Sequence, residues 1–405
     1  MSINIHFYKG SLNCIEDTKT LENLYDIKDG DPEKIALVHI KSEFRKVLQI
    51  NNLSFFLGAG CSSLVDGEGK ELGIPVIKPL TKLIIDKLTK TDVDYLKDKV
   101  KINLTDTNFS DNLEKIMEVL ENYKLYLALT NQSITSVDKV ISKIKSLVFD
   151  QCNSRSEEVI SVYESFYRKL MIRNNTLQRC TIVTPNYDLF NELSAERVGV
   201  EYCNGFSGYH DRRFNPGVFS HVYAEKIGIG TKVTTISNFV YLLKLHGSIS
   251  WMSDKHSLYG VSEKSVAADD KGKDFGNMMI YPTPAKQSSS MSSPYSDLFR
   301  IFQSKLSEKE NILISLGYSF SDEHINNVIY QALSSSKFRL VVFSSVTDKV
   351  KKLIKLDDPR IWVIGGEFEN ENIHYFKTFI EKILESDISN KKEETIKNTL
   401  KSTLG

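Results

Sequence analysis

The amino-acid sequence predicts an α/β fold, a doubly wound parallel sheet with a helical insertion or a small helical lobe. Three observations lead to this prediction: strand-like runs alternate with helical stretches in the last third of the chain, an apolar run in the N-terminal part leads straight into a glycine turn, and a long segment between them has few strand-like runs. Alternating strands and helices are typical of parallel sheets, because a parallel connection needs a long crossover.

The last third of the chain has the clearest pattern. Short β-type runs are found at 312–316, 340–343 and 361–364, and helical stretches separate them at 322–335 and 347–355. This βαβαβ order predicts neighbouring parallel strands with helices packed on the sheet.

The rest of the chain is predicted to contribute further strands and most of the helices. Residues 33–50 have apolar residues at largely helical spacing, residues 53–57 form a buried strand, and residues 80–91 are again helical. The segment 94–175 consists of long amphipathic stretches and is predicted to be a helical insertion. Other strands are predicted at 180–184, 239–245 and 278–281.

A chain of 405 residues is longer than one compact core usually holds, so a large domain with an inserted lobe is expected. The predicted division is an N-terminal segment with a helix at 1–50, a main domain at 51–385 that contains the insertion, and a polar tail at 386–405.

Charge and hydropathy exclude several classes of protein. Lys plus Arg and Asp plus Glu both number 52, so no global basic field attracts nucleic acid or anionic lipid. No apolar window approaches the roughly 18 residues of a membrane span, and the N-terminus lacks an apolar signal segment. We therefore expect a cytoplasmic protein without membrane contact or direct nucleic-acid binding.

The cysteines are few and scattered. Five are present, without a C-x-x-C pair. Structural zinc sites commonly draw their ligands from such pairs. We therefore expect neither a disulfide framework nor a zinc site.

The first candidate for a binding site is the glycine turn after the strand at 53–57. Gly58, Ala59 and Gly60 would let backbone N–H groups approach a phosphate, and the dipole of a following helix would favour its charge. The full G-x-G-x-x-G pattern is missing, since Ser63 stands in the place of the third glycine. A plain tight turn is therefore an equal alternative.

Polar residues follow two of the predicted strands. Asn186 and Asp188 come after the strand at 180–184, and His246 follows the strand at 239–245. Side chains at such strand ends line the ligand crevice of open α/β sheets, and histidine is suited to proton transfer near neutral pH. Taken singly, a turn for Asn186, a helix cap for Asp188 and a packed spectator for His246 are the simpler interpretations.

Two further loops are candidates. Gly317 and Ser319 follow the strand at 312–316 and suit phosphate contact as well as they suit an ordinary loop with a helix cap. The segment Gly-Ile-Pro at 73–75 has the composition of a mobile lid over a ligand, or of a surface loop.

Taken together, these segments resemble the motif series of the sirtuin superfamily. The motifs GAGCSS, GIP, TPNYD, KLHGS and LGYSFSD, which run from residue 58 to residue 322, stand in the same order as those of that family. The resemblance implies a Rossmann-like domain that binds NAD as its substrate.

The resemblance also implies roles for single residues. Asn186 would position water and ribose near the scissile bond, His246 would act as the general base, and Asp188 would hold the nicotinamide amide. Gly365 and Gly366, expected just after the last strand, suit the adenine end of the family's site. The remaining implied NAD contacts are Gly58, Ala59, Gly60, Ser62, Gly317 and Ser319.

Departures from the family pattern separate the possible activities. Protein-deacylating sirtuins carry four zinc cysteines in two pairs that this chain lacks, and Ile77 and Lys78 replace the Phe-Arg that follows GIP in those enzymes. The chain is more similar to the bacterial sirtuin-like NADases of anti-phage defence. We therefore expect an NAD+ hydrolase (NADase) that forms a homo-oligomer, with a HerA-type ATPase as a candidate partner.

Two alternatives stay open at this stage. One is an NAD-dependent protein deacylase or ADP-ribosyltransferase, which needs a groove for a protein substrate. The other is a subunit that binds NAD or ADP-ribose without turnover, which would not need both Asn186 and His246.

The cysteine pattern generates a prediction about metals. Treatment with EDTA should leave folding and NAD binding unchanged, because no structural zinc is expected to hold the chain together. Circular dichroism and NAD titration before and after chelation check this. Stoichiometric zinc in the purified protein, lost together with its structure on chelation, would contradict our interpretation of the cysteines.

Overall fold

The computed structural model describes residues 4–25, 31–174, 176–226, 233–272, 293–335 and 337–384. The strand predicted at 278–281 and the tail predicted at 386–405 lie outside these residues. No helix within the described ranges is long and apolar enough to cross a membrane.

The described strands form one large sheet, a four-stranded sheet and a two-stranded sheet. In chain order the strands are β1 Ile5–Lys9, β2 Leu12–Asn13, β3 Asn52–Leu57, β4 Thr181–Thr184, β5 Glu201–Cys203, β6 Phe206–Ser207, β7 Arg212–Phe214, β8 Ala224–Lys226, β9 Val233–Thr235, β10 Phe239–Lys244, β11 Trp251–Ser253, β12 Val261–Glu263, β13 Asn311–Leu316, β14 Phe338–Phe343, β15 Ile361–Phe368 and β16 Glu371–Asn372.

Helices cover both faces of the large sheet and also build a lobe. In chain order they are α1 Thr18–Tyr25, α2 Pro32–Leu48, α3 Ala59–Ser62, α4 Ile77–Asp86, α5 Lys90–Tyr95, α6 Leu113–Leu129, α7 Thr135–Cys152, α8 Glu157–Leu170, α9 Phe190–Arg197, α10 Tyr295–Leu306, α11 Glu323–Leu333, α12 Asp348–Lys355 and α13 Phe376–Thr378. Short π-helical turns continue α5 at Leu96–Val100 and α13 at Phe379–Ile383, and a 3-10 helix spans Pro216–Ser220.

The large sheet confirms the predicted α/β fold. Its strand order is β2-β1-β15-β14-β13-β3-β4-β10-β5, and each neighbouring pair from β15 to β5 is parallel. Strand β1 pairs with β15 in the antiparallel sense, and β2 pairs with β1. The parallel part contains the strands predicted at 53–57, 180–184, 239–245, 312–316, 340–343 and 361–364.

The hydrogen-bond register makes the parallel strands end at one level. Leu316 at the end of β13 pairs with Leu57 at the end of β3 and with Phe343 at the end of β14. Thr184 at the end of β4 pairs with Lys244 at the end of β10. The turns after these strands therefore meet at one edge of the sheet, and open α/β sheets bind their ligands at this edge.

The large sheet is buried on both faces, as a doubly wound sheet requires. In β3, Phe55 and Leu57 belong to one apolar core and Phe56 belongs to the other. Helices α2 and α8 cover the first face, where Phe166 of α8 meets Phe55 edge to face with ring centroids 5.1 Å apart. Helices α10 and α11 cover the second face, where Phe302 of α10 is fully buried.

Helices α4 to α7 form a lobe with an apolar core of its own. Ile84, Met117 and Ile144, from α4, α6 and α7, are fully buried there. Helix α8 lies within the predicted insertion but packs against the sheet, where its Tyr163 is fully buried. The boundaries of the insertion, the main domain and the N-terminal segment stay predictions.

The segment predicted to be helical at 80–91 is helical for most of its length, but it belongs to two helices rather than one. Helix α4 ends at Asp86, and a capping box at Thr89 starts α5. The Thr89 side chain accepts from the Asp92 backbone nitrogen, and the Asp92 side chain accepts from the Thr89 backbone nitrogen. A capping box satisfies backbone donors at a helix start and so favours a new helix at this point.

The strand predicted at 361–364 is shorter than the strand in the structure. Strand β15 continues past residue 364 to Phe368, because β1, which the sequence analysis did not predict, pairs with residues 362–366 and β16 pairs with Glu367 and Phe368. Gly365 and Gly366 therefore lie within the strand rather than after it, opposite His6 and Ile5 of β1.

The pairing of β1 with β15 generates a prediction about stability. Phe7 of β1 is fully buried and packs on Trp362 with ring centroids 5.3 Å apart. Phe7→Ala should lower the free energy of unfolding by about 3–5 kcal/mol, since it leaves a cavity beside the sheet.

The control is Leu12→Ala on the neighbouring strand β2, where the leucine is 67% exposed. It should change the free energy of unfolding by less than about 0.5 kcal/mol. Urea denaturation measures both variants, and equally small effects would show that β1 does not stabilise the sheet.

Candidate functional site

The turns after β3 and β13 are in direct contact at the carboxyl edge of the sheet. The Gly58 nitrogen donates to the carbonyl oxygen of Leu316 at 2.9 Å, and the Gly60 nitrogen donates to that of Gly317 at the same distance. A Cβ on Gly58 would lie 2.5 Å from the Gly317 oxygen, and a Cβ on Gly317 would lie 2.6 Å from the Cys61 nitrogen. Gly317 also has a φ of +62°, which residues with a side chain rarely adopt. The approach of the two turns therefore depends on glycine.

The residues of these turns differ in their access to a ligand. Ala59, at the start of α3, and Ser319 are exposed. Gly60 and Gly317 are half-buried, whereas Gly58 is buried. Ala59 and Ser319 are therefore the turn residues that a ligand at this edge reaches most easily.

Asn186 links the glycine turn to a buried carboxylate. Its Nδ2 donates to the carbonyl oxygen of Gly58 at 3.0 Å and to Ser62 Oγ at 2.9 Å. The Ser62 hydroxyl in turn donates to Asp188 Oδ2 at 2.7 Å. These side chains form one hydrogen-bonded chain, in which Asn186 is half-buried and the other two are buried.

The Asp188 carboxylate also contacts the start of a helix. Its Oδ1 accepts from the Phe190 nitrogen at 3.1 Å, at the start of α9. Burial raises the pKa of the Asp188 carboxyl, while Lys244 and the Ser62 hydroxyl act in the opposite direction. Tyr163 of α8 brings its hydroxyl to 3.4 Å from Ser62 Oγ, so the sheet-packed helix also contacts this cluster.

His246 lies beside a carboxylate that the sequence analysis did not single out. Its Nε2 is 3.2 Å from Asp322 Oδ2, and the two side chains are only 10% and 12% exposed. The other oxygen of Asp322 accepts from the backbone nitrogens of His324 and Ile325 and so caps α11. A carboxylate held in this way can orient an imidazole ring. The signal in the sequence is the aspartate that ends LGYSFSD directly before a helix.

A buried lysine is the second site residue that the sequence analysis missed. Lys244 is 1% exposed, and its Nζ pairs with Glu192 Oε1 of α9 at 2.9 Å. It also donates to the carbonyl oxygen of Asp188 and to Ser248 Oγ. Burial raises the pKa of Glu192, and the charge of Lys244 opposes this rise. The signal in the sequence is a lysine inside the apolar run at 239–245.

Ser319 belongs to an exposed polar group after β13. Its Oγ lies 2.8 Å from Ser321 Oγ, and Lys349 near the start of α12 donates to Ser321 Oγ at 3.0 Å. Hydroxyl and ammonium groups are suitable partners for a phosphate. The role of Ser319 as an NAD contact stays a prediction.

Gly365 lies at the same edge, two strands away from Gly317. A Cβ at Gly365 would lie 2.2 Å from the carbonyl oxygen of Ser344 and 2.8 Å from Nε2 of His6. The packing of β1 therefore already accounts for glycine at this position. Its role as an NAD contact also stays a prediction.

The chain that follows His246 contributes two strands to the four-stranded sheet. Trp251 of β11 is 1% exposed and packs on Phe206 and Phe214, with ring centroids 5.1 and 6.4 Å away. Aromatic packing therefore forms the core of this sheet. The five cysteines, all inside the described ranges, are free thiols, and those ranges hold no cluster of three or more potential metal ligands.

Comparison with known proteins adds a family to this geometry. The SIR2-like domain family matches residues 180–376, a range that includes Asn186, Asp188 and His246 but begins after the glycine turn at 58–60. The match supports the sirtuin-like superfamily, whose SIR2-like domains use NAD and are generally enzymatic. No curated protein matches the chain.

The contact between the two turns generates a prediction about Gly317. Gly317→Ala should lower the free energy of unfolding by more than the roughly 1–2 kcal/mol that a left-handed residue with a side chain costs, because its Cβ also collides with the Cys61 nitrogen. NAD affinity should fall as well, since the turn after β3 must shift.

The matched control is Gly260→Ala. Gly260 has a φ of +72°, but a Cβ there would meet nothing within 4 Å. This variant therefore measures the backbone strain alone. Urea denaturation and calorimetric NAD titration compare the two variants, and equal losses of stability would contradict a close contact between the turns.

Proposed function

We propose that the protein is an NAD+ glycohydrolase that breaks the nicotinamide–ribose bond and releases nicotinamide and ADP-ribose. One observation carries the proposal. Asn186 is hydrogen-bonded to the glycine turn and, through Ser62, to Asp188, while His246 is paired with Asp322 at the same edge of a SIR2-like domain.

The residues at this edge fit a dinucleotide. The crevice beyond the carboxyl ends of parallel strands is the usual ligand site of such sheets. Ala59 at a helix start and Ser319, whose hydroxyl contacts the Ser321 hydroxyl to which Lys349 donates, offer exposed groups toward phosphates, as the acidic middle of NAD requires. Asn186 and His246 offer an amide and an imidazole toward the scissile end.

Each side chain has a distinct task in the proposed reaction. Asp188 accepts from the carboxamide of nicotinamide; a carboxylate has about four acceptor positions, and Ser62 and Phe190 occupy two of them. Asn186 orients the attacking water. His246 accepts a proton from that water or from a ribose hydroxyl, and Asp322 keeps the imidazole oriented and stabilises its positive charge.

The protein supplies mainly position and electrostatics to this reaction. The bond to nicotinamide breaks as positive charge develops on the ribose, so a fixed carboxylate and a fixed water lower the barrier without a covalent step on the chain. Because the polar side chains are bonded to one another before the substrate arrives, little reorganisation is needed.

The biological setting belongs to the same proposal. An NADase that depletes the NAD of an infected bacterium would act in anti-phage defence, in the cytoplasm. An unrestrained NADase would harm its own cell, so we propose that a homo-oligomer or a partner such as a HerA-type ATPase controls turnover.

The catalytic pair generates the test of this function. His246→Ala should lower the rate of nicotinamide release by about 10²- to 10⁴-fold, because general-base assistance is lost. Asn186→Ala should also reduce turnover much more than NAD affinity. Nicotinamide release, NAD affinity and melting temperature are measured on the same preparations.

The matched control is His256→Ala, at an exposed position in the turn between β11 and β12, which should keep wild-type turnover. If the His246 and Asn186 variants lose stability but keep specific activity in the folded fraction, both are structural residues. Release of nicotinamide only in the presence of an acylated protein would instead favour a deacylase. NAD binding without release by the wild-type protein would favour a non-catalytic subunit.

A further inference from the structure

We infer that Lys244 is a positioning residue that holds the Asn186–Asp188 segment in register with His246. The inference rests on the proposed function, since it assigns Lys244 to the same site. Lys244 precedes His246 by two residues on the chain, and its ammonium group reaches across to the segment that follows β4.

The ammonium group of Lys244 is surrounded by acceptors from three parts of the fold. Nζ donates to the carbonyl oxygen of Asp188, with that of Tyr187 at 3.4 Å. It donates to Glu192 Oε1 at 2.9 Å in α9 and to Ser248 Oγ at 3.0 Å in the turn after His246. One cation thus joins both segments of the proposed catalytic pair.

Backbone hydrogen bonds connect the same two segments. The Leu245 nitrogen donates to the carbonyl oxygen of Thr184 at 2.9 Å. The Ile249 nitrogen donates to that of Tyr187 at 3.0 Å. Asn186 lies between these two attachment points, and the Lys244 ammonium binds the chain immediately beyond it.

Stability alone is a weak reason for a buried ion pair. Removing both charges from such a pair is often neutral, because the desolvation of the ions offsets their attraction, whereas removing one charge is strongly destabilising. Lys244 and Glu192 are 1% and 5% exposed, so both ions are desolvated. Two neutral side chains of the same size would fill the same space. They would not reproduce the hydrogen bond from the Lys244 ammonium group to the carbonyl oxygen of Asp188.

A polar chain extends this contact to the four-stranded sheet. Ser250 Oγ donates to Ser248 Oγ at 3.0 Å and lies 3.4 Å from Glu263 Oε1 of β12. Glu263 also accepts from Asn204 Nδ2 at 2.8 Å. Hydrogen bonds between side chains therefore connect Lys244, at the crevice, with the four-stranded sheet.

Three variants test the inference: Lys244→Met, Glu192→Gln and the double variant K244M/E192Q. Lys244→Met should unfold at lower urea concentration because it leaves Glu192 buried without its cation. The double variant should regain most of the stability. Its kcat for nicotinamide release should nevertheless stay about 10²-fold below wild type, with KM little changed, because misplacement of catalytic groups by about 1 Å has an effect of this size.

Glu192→Gln is the conservative arm, since it keeps Lys244 and its bonds to the backbone. This variant should lose stability, because the Lys244 cation stays buried without its counter-charge, but its folded fraction should retain turnover close to wild type. Lys351→Met, on an exposed ion pair with Asp348 in α12, is the control for loss of a lysine and should leave both stability and turnover unchanged. Recovery of turnover together with stability in K244M/E192Q would overturn the inference.

Hydrogen exchange separates this inference from the proposed function. The Ile249 amide, bonded to Tyr187, should exchange faster in the double variant than in wild type, while amides in the middle of β13 stay protected. Unchanged exchange at Ile249 would overturn the positioning role. If wild-type protein releases no nicotinamide, the NADase proposal fails, and the exchange result still decides whether Lys244 holds this segment.

Discussion

The register of the parallel strands positions both apolar cores and the turns that form the candidate site. Across β14, β13 and β3, the end residues Phe343, Leu316 and Leu57 stand opposite one another, and Thr184 and Lys244 continue the row on β4 and β10. A slip by one residue would turn the side chains of a strand to the opposite face of the sheet. Since both faces are buried, such a slip would also disrupt a core. The register that buries apolar side chains on both faces therefore also aligns the turns of the candidate site.

Burial gives the polar residues of the site their fixed positions. A polar group without a partner is costly in the interior, so each of these side chains is held by the others. Ser62 accepts from Asn186 and donates to Asp188, and Lys244 pairs with Glu192. Fixed dipoles of this kind are what a reaction that develops charge requires. Burial and the proposed reaction thus both require these side chains to be held in fixed positions.

Parts of the chain far from the motifs complete the site. Helix α8 contributes Tyr163 to the cluster around Ser62, although its neighbours α4 to α7 pack mostly into their own lobe. Strand β1 occupies the outer side of β15, and its His6 fills the space beside Gly365. An N-terminal strand therefore packs directly beside Gly365, the residue for which an adenine contact is predicted.

The parallel strands, the glycine turns and the positions of Asn186, Asp188 and His246 at strand ends are all predictable from the amino-acid sequence. Each of these features depends on neighbouring residues: apolar runs, glycines after strands, and polar residues directly beyond them. These signals involve residues that are close in sequence, so they can be recognised without the structure.

Which side chains contact one another is known only from the folded chain. The pairs His246 with Asp322 and Lys244 with Glu192 join positions that are distant in sequence, and no local pattern marks one carboxylate over another as the partner. The short strand β1 depends on a distant partner as well. Ile5, Phe7 and Tyr8 are residue types that favour strands, but it is the pairing with β15 that places this run in the sheet. Long-range contacts are set by the folded register, and a periodicity along the chain carries no information about them.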